Sequence, residues 1–228
     1  MPNIEDDYEA ARLAALARYD LLDTAPEATF NDLVQLATKI SQTPIALMSL
    51  IDDHRQWFKA KVGLTTTETP REWAFCAHAI LQSQPLIIEN ALIDERFAQN
   101  PLVVGEPHIR FYAGFPLITA DGYPLGTLCV IDRQPRQLDS EQLEALRILS
   151  HQVVAQLELR YGHRVLKQTL KDRTDIEFTL DQSSIVAIAD AQGLILVPPK
   201  FVSSKIGVER LGGQRDGQAT TEAWNRRR

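Results

Sequence analysis

Cysteine is scarce in this chain: its 228 residues include two, Cys76 and Cys129, far apart and without CxxC spacing. That excludes a disulfide framework and a thiol-spaced zinc site, and it fits a protein kept in a reducing cytoplasm. Long apolar runs are also missing. No stretch approaches the roughly 18 residues of a membrane helix, and the acidic opening MPNIEDDYEA lacks the apolar core of a signal peptide. A cytoplasmic protein without membrane contact is expected. Positive charge is not in excess either. The net charge of -6 disfavours nucleic acid and anionic membranes as partners. The chain has no internal repeat and no low-complexity tract.

What is present is a hydrophobic content of 44%, enough for a core and one or two domains. The most telling segment is RFYAGFPLITADGYPLGTLCVID, two apolar strands around Ala120-Asp121-Gly122. Asp-Gly between hydrophobic runs marks a hairpin, because glycine accepts the positive φ of the turn. Alternation sends Phe111, Ala113, Phe115 and Leu117 to one face and Tyr112, Gly114, Pro116 and Ile118 to the other, so both faces are expected to be covered. Gly114 and Gly126 allow a close approach to the sheet.

Upstream, a helix is predicted over about Asp6 to Arg18, with Leu13 and Leu16 on its apolar side. A second begins near Thr24, where Thr24 and Glu27 have capping-box spacing and Pro26 suits the first turn. Phe30, Leu33, Val34, Ala37 and Ile40 continue it at helical spacing. Strands follow at PIALMSLID and QWFKAKV, joined by a solvated turn at Asp52, Asp53 and Arg55. Alternation in the second strand places Trp57, Lys59 and Lys61 opposite Phe58, Ala60 and Val62. TTTETPREW is expected as a loop, FCAHAILQ as a short helix and PLIIEN as a strand. ALIDERFAQNPLVVGEPHI reads as a long connection with helical turns. Hairpins and short crossovers, rather than βαβ repeats, argue for one antiparallel sheet with helices packed on it. A long helix begins after Leu138, capped by Asp139 or Ser140, with Gln142 three residues after Asp139, and runs from Ser140 to about Asp172 on Leu143, Leu146, Ser150, Val153 and Leu157. Gly162 is its weak point.

The ordered pieces RYDLLDT, PIALMSLIDDHRQWFKAKVGL, ETPREWAFCAHAIL, RFAQNPLV, IRFYAGFPL and PLGTLCVID resemble a GAF domain of bacterial sensors. The subgroup is the one that precedes PAS, histidine kinase or diguanylate cyclase modules. The resemblance implies an α+β fold: an antiparallel sheet of about five or six strands, flanking helices and a long C-terminal signalling helix. It divides the chain into an N-terminal helix (1–22), the GAF domain (23–160) and a helical linker (161–175). Residues 176–201, DIEFTLDQSSIVAIADAQGLI onward, resemble the start of a PAS domain that is then broken off. The polar stretch 202–228 reads as disorder, and a frameshift or premature ending near Phe201 is the expectation it prompts.

By the same resemblance, the ligand pocket would be walled by Trp57, Phe75, Phe97, Tyr112 and Phe115, with Trp73 and Phe111 in the same segments. His78, Asp94, Arg110 and Tyr112 would supply polar anchors, and Cys76 would lie among them. Phytochrome-like GAF domains attach a bilin to a cysteine followed directly by histidine. Here Ala77 separates Cys76 from His78, so no cofactor is required and a bilin is not expected. No metal site is expected of His78, His108 and Cys76. His151 is followed by Gln152-Val153-Val154, not by the pattern of a phospho-acceptor helix. No ATP-lid glycine motif or GGDEF-like loop occurs, so no catalytic residue is assigned. The expectation is a non-enzymatic sensory module of signal transduction that binds a small ligand, or dimerises through the 140–172 helix, and engages a signalling partner. Three alternatives stand beside it: a bilin photosensor through Cys76, a reductase of free methionine sulfoxide using Cys76 and Cys129, and a dimerisation remnant with a filled core.

Overall fold

The computed structural model describes residues 4–183, 188–189 and 195–196, and side chains over 7–176. Residues Met1–Leu170 and Lys171–Arg228 form two compact units. The first contains helices α1 (Ile4–Tyr19) and α2 (Ala28–Ser41), followed by strands β1 (Ile45–Ile51), β2 (Arg55–Val62) and β3 (Glu68–Pro70). A 3-10 turn at Arg71–Trp73 leads into α3 (Phe75–Ala79), β4 (Leu86–Ile88), α4 (Pro101–Val104), β5 (Phe111–Ile118) and β6 (Pro124–Asp132). Helix α5 (Ser140–Ser183) begins in this unit.

Six strands form one antiparallel sheet in the order β3-β2-β1-β6-β5-β4. β1 and β6 are buried along their whole length, as expected of central strands covered on both faces. The hairpin alternation holds for Tyr112 and for the residues Phe111, Ala113, Phe115 and Leu117, while a register shift between Pro116 and Ile118 leaves those two outside the second core, beside α5. Phe111, Ala113, Phe115 and Leu117 join a core with α1, α2 and α5, through Leu16, Phe30, Val34, Leu146, Val153 and Leu157. Tyr112 joins the second core, on the other face, with Phe75, Cys76, Phe97 and Val103. Gly122 takes φ +88 in the turn. Of the two cap candidates of α5 the structure uses Asp139: its Oδ1 accepts from Gln142 N at 2.8 Å, and Gln142 Oε1 accepts from Asp139 N at 3.1 Å.

Four expectations need correction. Helix α2 starts at Ala28 with Glu27 at its N-cap and no side-chain cap bond. Thr24 Oγ1 instead donates to Leu21 O at 2.5 Å, and Glu27 is drawn away to Lys59 and Arg160. The strict alternation of β2 fails at a bulge. Met48 pairs with Ala60 and Ser49 with Phe58, leaving Lys59 unmatched. The extra residue resets the pleat, so Trp57 and Ala60 lie in the same core while Phe58 faces the other. The presumed loop TTTETPREW holds edge strand β3, paired with β2 from Arg55↔Pro70 to Trp57↔Glu68. In α1 the buried stripe is Arg12, Ala15, Leu16 and Tyr19. The Arg12 guanidinium is tolerated there because Glu9 accepts from it twice and Ile51 O accepts at 2.8 Å.

Helix α5 passes through Gly162, where an added Cβ would meet nothing, and extends past Asp172 to Ser183. In the second unit, β7 (Ile188–Ala189) pairs antiparallel with β8 (Ile195–Leu196). The rest of the PAS-like segment and the tail 202–228 lie outside the described residues. No helix among the described residues is long and apolar enough to cross a membrane.

Candidate functional site

A cavity of about 280 Å³ opens on the sheet face away from α5, under β2, β3, α3 and α4. Its aromatic walls are Phe58, Trp73, Phe75 and Tyr112, and Cys76 lies on its floor. β2 supplies Phe58 and Gln56 from one side of its pleat, and β3 brings Thr69 opposite Gln56 in the ladder. Gln56 Oε1 and Thr69 Oγ1 are buried with no hydrogen-bond partner, although their residues are register neighbours. Gln56 as a residue is 4% exposed. Leaving a buried polar atom unmatched costs about 1–3 kcal/mol, and both oxygens lie behind the cavity wall without accessible surface.

Tyr112 lies across Gly114. A Cβ on Gly114 would fall 2.0 Å from the Tyr112 hydroxyl, so the close approach that glycine permits is made by the protein's own phenol. That hydroxyl donates to Cys76 Sγ at 3.3 Å, and Thr127 Oγ1 donates to the same sulfur at 3.1 Å. Ser49 Oγ lies 3.1 Å from Thr127 Oγ1, and Cys129 Sγ lies 3.8 Å from Cys76 Sγ. Burial pushes both thiols up. At Cys76 the hydrogen bonds from Cys129, Ser49, Thr127 and Tyr112 outweigh burial and bring the thiol down below its ordinary range. Cys129 stays well above the ordinary thiol range, because burial, its bond to Cys76 and the Cys76 charge all act upward. Burial likewise raises the Tyr112 phenol. The partners of Cys76 are hydroxyls and a thiol, with no base or cation among them. The arrangement holds a polarised sulfur at the cavity floor and resembles no nucleophile-base pair.

The predicted site residues separate into four groups. Phe75, Cys76 and Tyr112 line the cavity, and Phe97 stacks behind Phe75 with ring centroids 4.1 Å apart. Trp57 and Phe115 lie in the core on the opposite face, with Phe111, and do not wall this cavity. Asp94 and Arg110 serve the loops: Asp94 pairs with Arg96 at 2.7 Å, and Arg110 donates to Val103 O and Ile109 O. The Arg96 guanidinium lowers the Asp94 carboxyl. His78 is exposed, edge-on to Phe97 at 4.9 Å. It lines a separate open groove with Asp53, His54, Arg71 and Glu72. Burial and the nearby Arg96 charge lower its imidazole.

Sequence reasoning missed Gln56, Phe58 and Thr69. Phe58 and Gln56 share a parity opposite to Trp57, so that signal existed in the alternation. Thr69 was hidden because a three-residue edge strand carries almost no periodic signal.

The geometry defines an α+β module: a six-stranded antiparallel sheet, three helices on one face and a partly apolar cavity under short helices on the other. The chain belongs to the GAF domain family, whose model matches residues 25–157, a domain of signalling sensors. It is 48% identical over 135 residues to a cyclic di-GMP phosphodiesterase of Pseudomonas aeruginosa. That match covers 59% of this chain and 23% of the relative, so the chain spans about a quarter of that protein's length. Among solved structures, a domain assigned to a two-component sensor histidine kinase protein of Sinorhizobium meliloti superimposes with a TM-score of 0.50 at 16% identity. The match covers 64% of this chain and 99% of that one. The GAF domain of an Acinetobacter phosphoenolpyruvate-protein phosphotransferase gives a TM-score of 0.49 at 19% identity, covering 72% and 95%.

Proposed function

We propose that residues 23–160 act as a regulatory sensory module that binds a small ligand on the α3/α4 face and performs no chemistry itself. The observation that carries this reading is the cavity of about 280 Å³ walled by Phe58, Trp73, Phe75 and Tyr112, with Gln56, Thr66 and Thr69 among its polar lining residues. The signal would leave through α5. Ile148, Leu159, Val165 and Leu166 are exposed on that helix, and pairing with a second copy would bury them. Ligand contacts would then bias two packings of the helix pair, since a ligand shifts only states it binds differently. The Pseudomonas relative is named a phosphodiesterase, and matches this chain over a fraction of its length. A role upstream of a cyclic di-GMP output, in the GAF subgroup found before PAS, histidine kinase or diguanylate cyclase modules, accords with that name.

The cavity is much smaller than a linear tetrapyrrole needs, which argues against the photosensor alternative. The test is native mass spectrometry of the chain purified gently from its own host. Expected is a dimer carrying a small mass that leaves on denaturation, and a monomer when Leu159 and Leu166 are both changed to Glu. A bare dimer would refute ligand binding and favour a dimerisation remnant. A covalent adduct on Cys76 would revive the photosensor.

A further inference from the structure

Both cysteines of the chain lie in one core cluster, on the sheet face away from α5. Cys76 belongs to α3, a helix of five residues, and lines the cavity with 2% of its surface exposed. Cys129 belongs to central strand β6, fully buried and held in register between Leu47 of β1 and Gly114 of β5. Their sulfurs are 3.8 Å apart, so an approach of less than about 2 Å would bond them. A short helix between a 3-10 turn and a loop can supply that movement while the paired strand stays in place. Tyr112 and Thr127 both donate to Cys76 Sγ, which favours negative charge on that sulfur, and the charged sulfur is the form that oxidises. Part of what holds Cys129 protonated is the charge on Cys76. An oxygen on Cys76 removes that charge, so the second thiol is freed to react once the first has done so.

We propose that Cys76 and Cys129 form a redox switch, in which a small hydroperoxide entering the cavity oxidises Cys76 and Cys129 resolves the product to a disulfide within the chain. The inference is independent of the ligand-binding reading. The Cys76 sulfur attacks one peroxide oxygen and the O–O bond breaks. Sulfur keeps one oxygen as a sulfenic acid, and the other leaves as water with the thiol's proton. The Cys129 sulfur then attacks the Cys76 sulfur and the S–O bond breaks, so a second water leaves with the Cys129 proton. In sum two thiols and one peroxide give one disulfide and two waters, with the sulfurs losing the two electrons that the peroxide gains. Hydrogen peroxide is uncharged and close to water in size, which suits a thiol reached only through a cavity. No base or cation touches Cys76, so the event is stoichiometric and does not turn over. The bond would tie α3 to the central strand and draw Phe75, a wall of the cavity, with it. Transient disulfides of this kind serve redox sensing in reducing compartments.

The test treats the folded full chain with excess hydrogen peroxide, blocks remaining thiols with iodoacetamide and maps unreduced tryptic peptides by mass spectrometry, with circular dichroism showing that the fold persists. Expected is a peptide 72–96, which holds Cys76, linked to 111–133, which holds Cys129, within one chain and lighter by two hydrogens than the free pair. Dithiothreitol should restore both thiols. In Cys129→Ala the expected product is a sulfenic acid on Cys76, trapped by dimedone. In Cys76→Ala the Cys129 thiol should stay reduced under the same treatment. If Cys129→Ala fails to melt cooperatively, the wild-type map and Cys76→Ala decide. The switch is overturned if no linked pair forms while the chain stays folded, or if the link joins two chains or appears only after unfolding in urea. Oxidation of Cys129 in Cys76→Ala as fast as in the wild type would overturn the order of the two steps and, with it, the role of the cavity.

Discussion

Glu27→Ala tests how the sheet is tied to the long helix. Lys59, the unmatched residue of the β2 bulge, has a side chain with no solvent exposure. Its ammonium meets Glu27 Oε1 at 2.6 Å, Thr24 Oγ1 at 2.7 Å and Ala25 O at 2.8 Å. Glu27 in turn receives Arg160 of α5 at 3.1 Å. Removing one partner of a buried pair costs about 3–5 kcal/mol, because a buried charge is left uncompensated. Glu27 is 36% exposed and two other acceptors remain on Lys59, so solvent screening reduces the expected loss to about 2–3 kcal/mol. For a domain of this size that is a fall in Tm of about 4–12 °C. Lys59→Met should cost less, since it removes both the charge and its burial penalty. Adding Glu27→Ala to Lys59→Met should then cost under about 1 kcal/mol. Urea unfolding followed by tryptophan fluorescence gives all four corners of the cycle. A Glu27→Ala cost that is the same with and without Lys59 would refute the pair as the link.

Two further outcomes follow from the geometry. Hydrogen bonds from Arg12 outweigh burial at Glu9 and, with Arg71, bring its carboxyl to about 2. Its stabilisation is therefore fully present above the unfolded pKa near 4.5 and is lost as pH falls toward 2. With screening at a carboxylate 32% exposed, the loss is on the order of 2 kcal/mol, and Glu9→Gln should flatten that limb of urea midpoint against pH. Gly114→Ala should cost about 1–3 kcal/mol by overpacking, because its Cβ meets Tyr112 Oη at 2.0 Å. The same change in a Tyr112→Leu background should be nearly silent, and an equal cost in both backgrounds would mean the phenol does not occupy that place.

The sequence by itself determined what local chemistry decides. The Asp121-Gly122 turn, the two-faced alternation of β5 and β6, and the reciprocal cap of Asp139 and Gln142 need only neighbours within a few residues. Apolar content on both faces of the hairpin was enough to predict two covering layers. The tertiary structure alone decided which face each aromatic serves. Alternation sets Phe58, which walls the cavity, opposite Trp57, but only the bulge at Lys59 returns Ala60 to Trp57's side under the helices. It also decided that Cys76 and Cys129, 53 positions apart, lie with sulfurs 3.8 Å apart, and that Gln56 meets Thr69 across a strand too short to read. Arg12 and Lys59 look like surface charges by type, yet both are buried because distant carbonyls and carboxylates satisfy them. Periodicity along a chain records which side of an element is apolar. It carries no record of a partner that arrives from elsewhere to neutralise a charge or leave an amide unmatched.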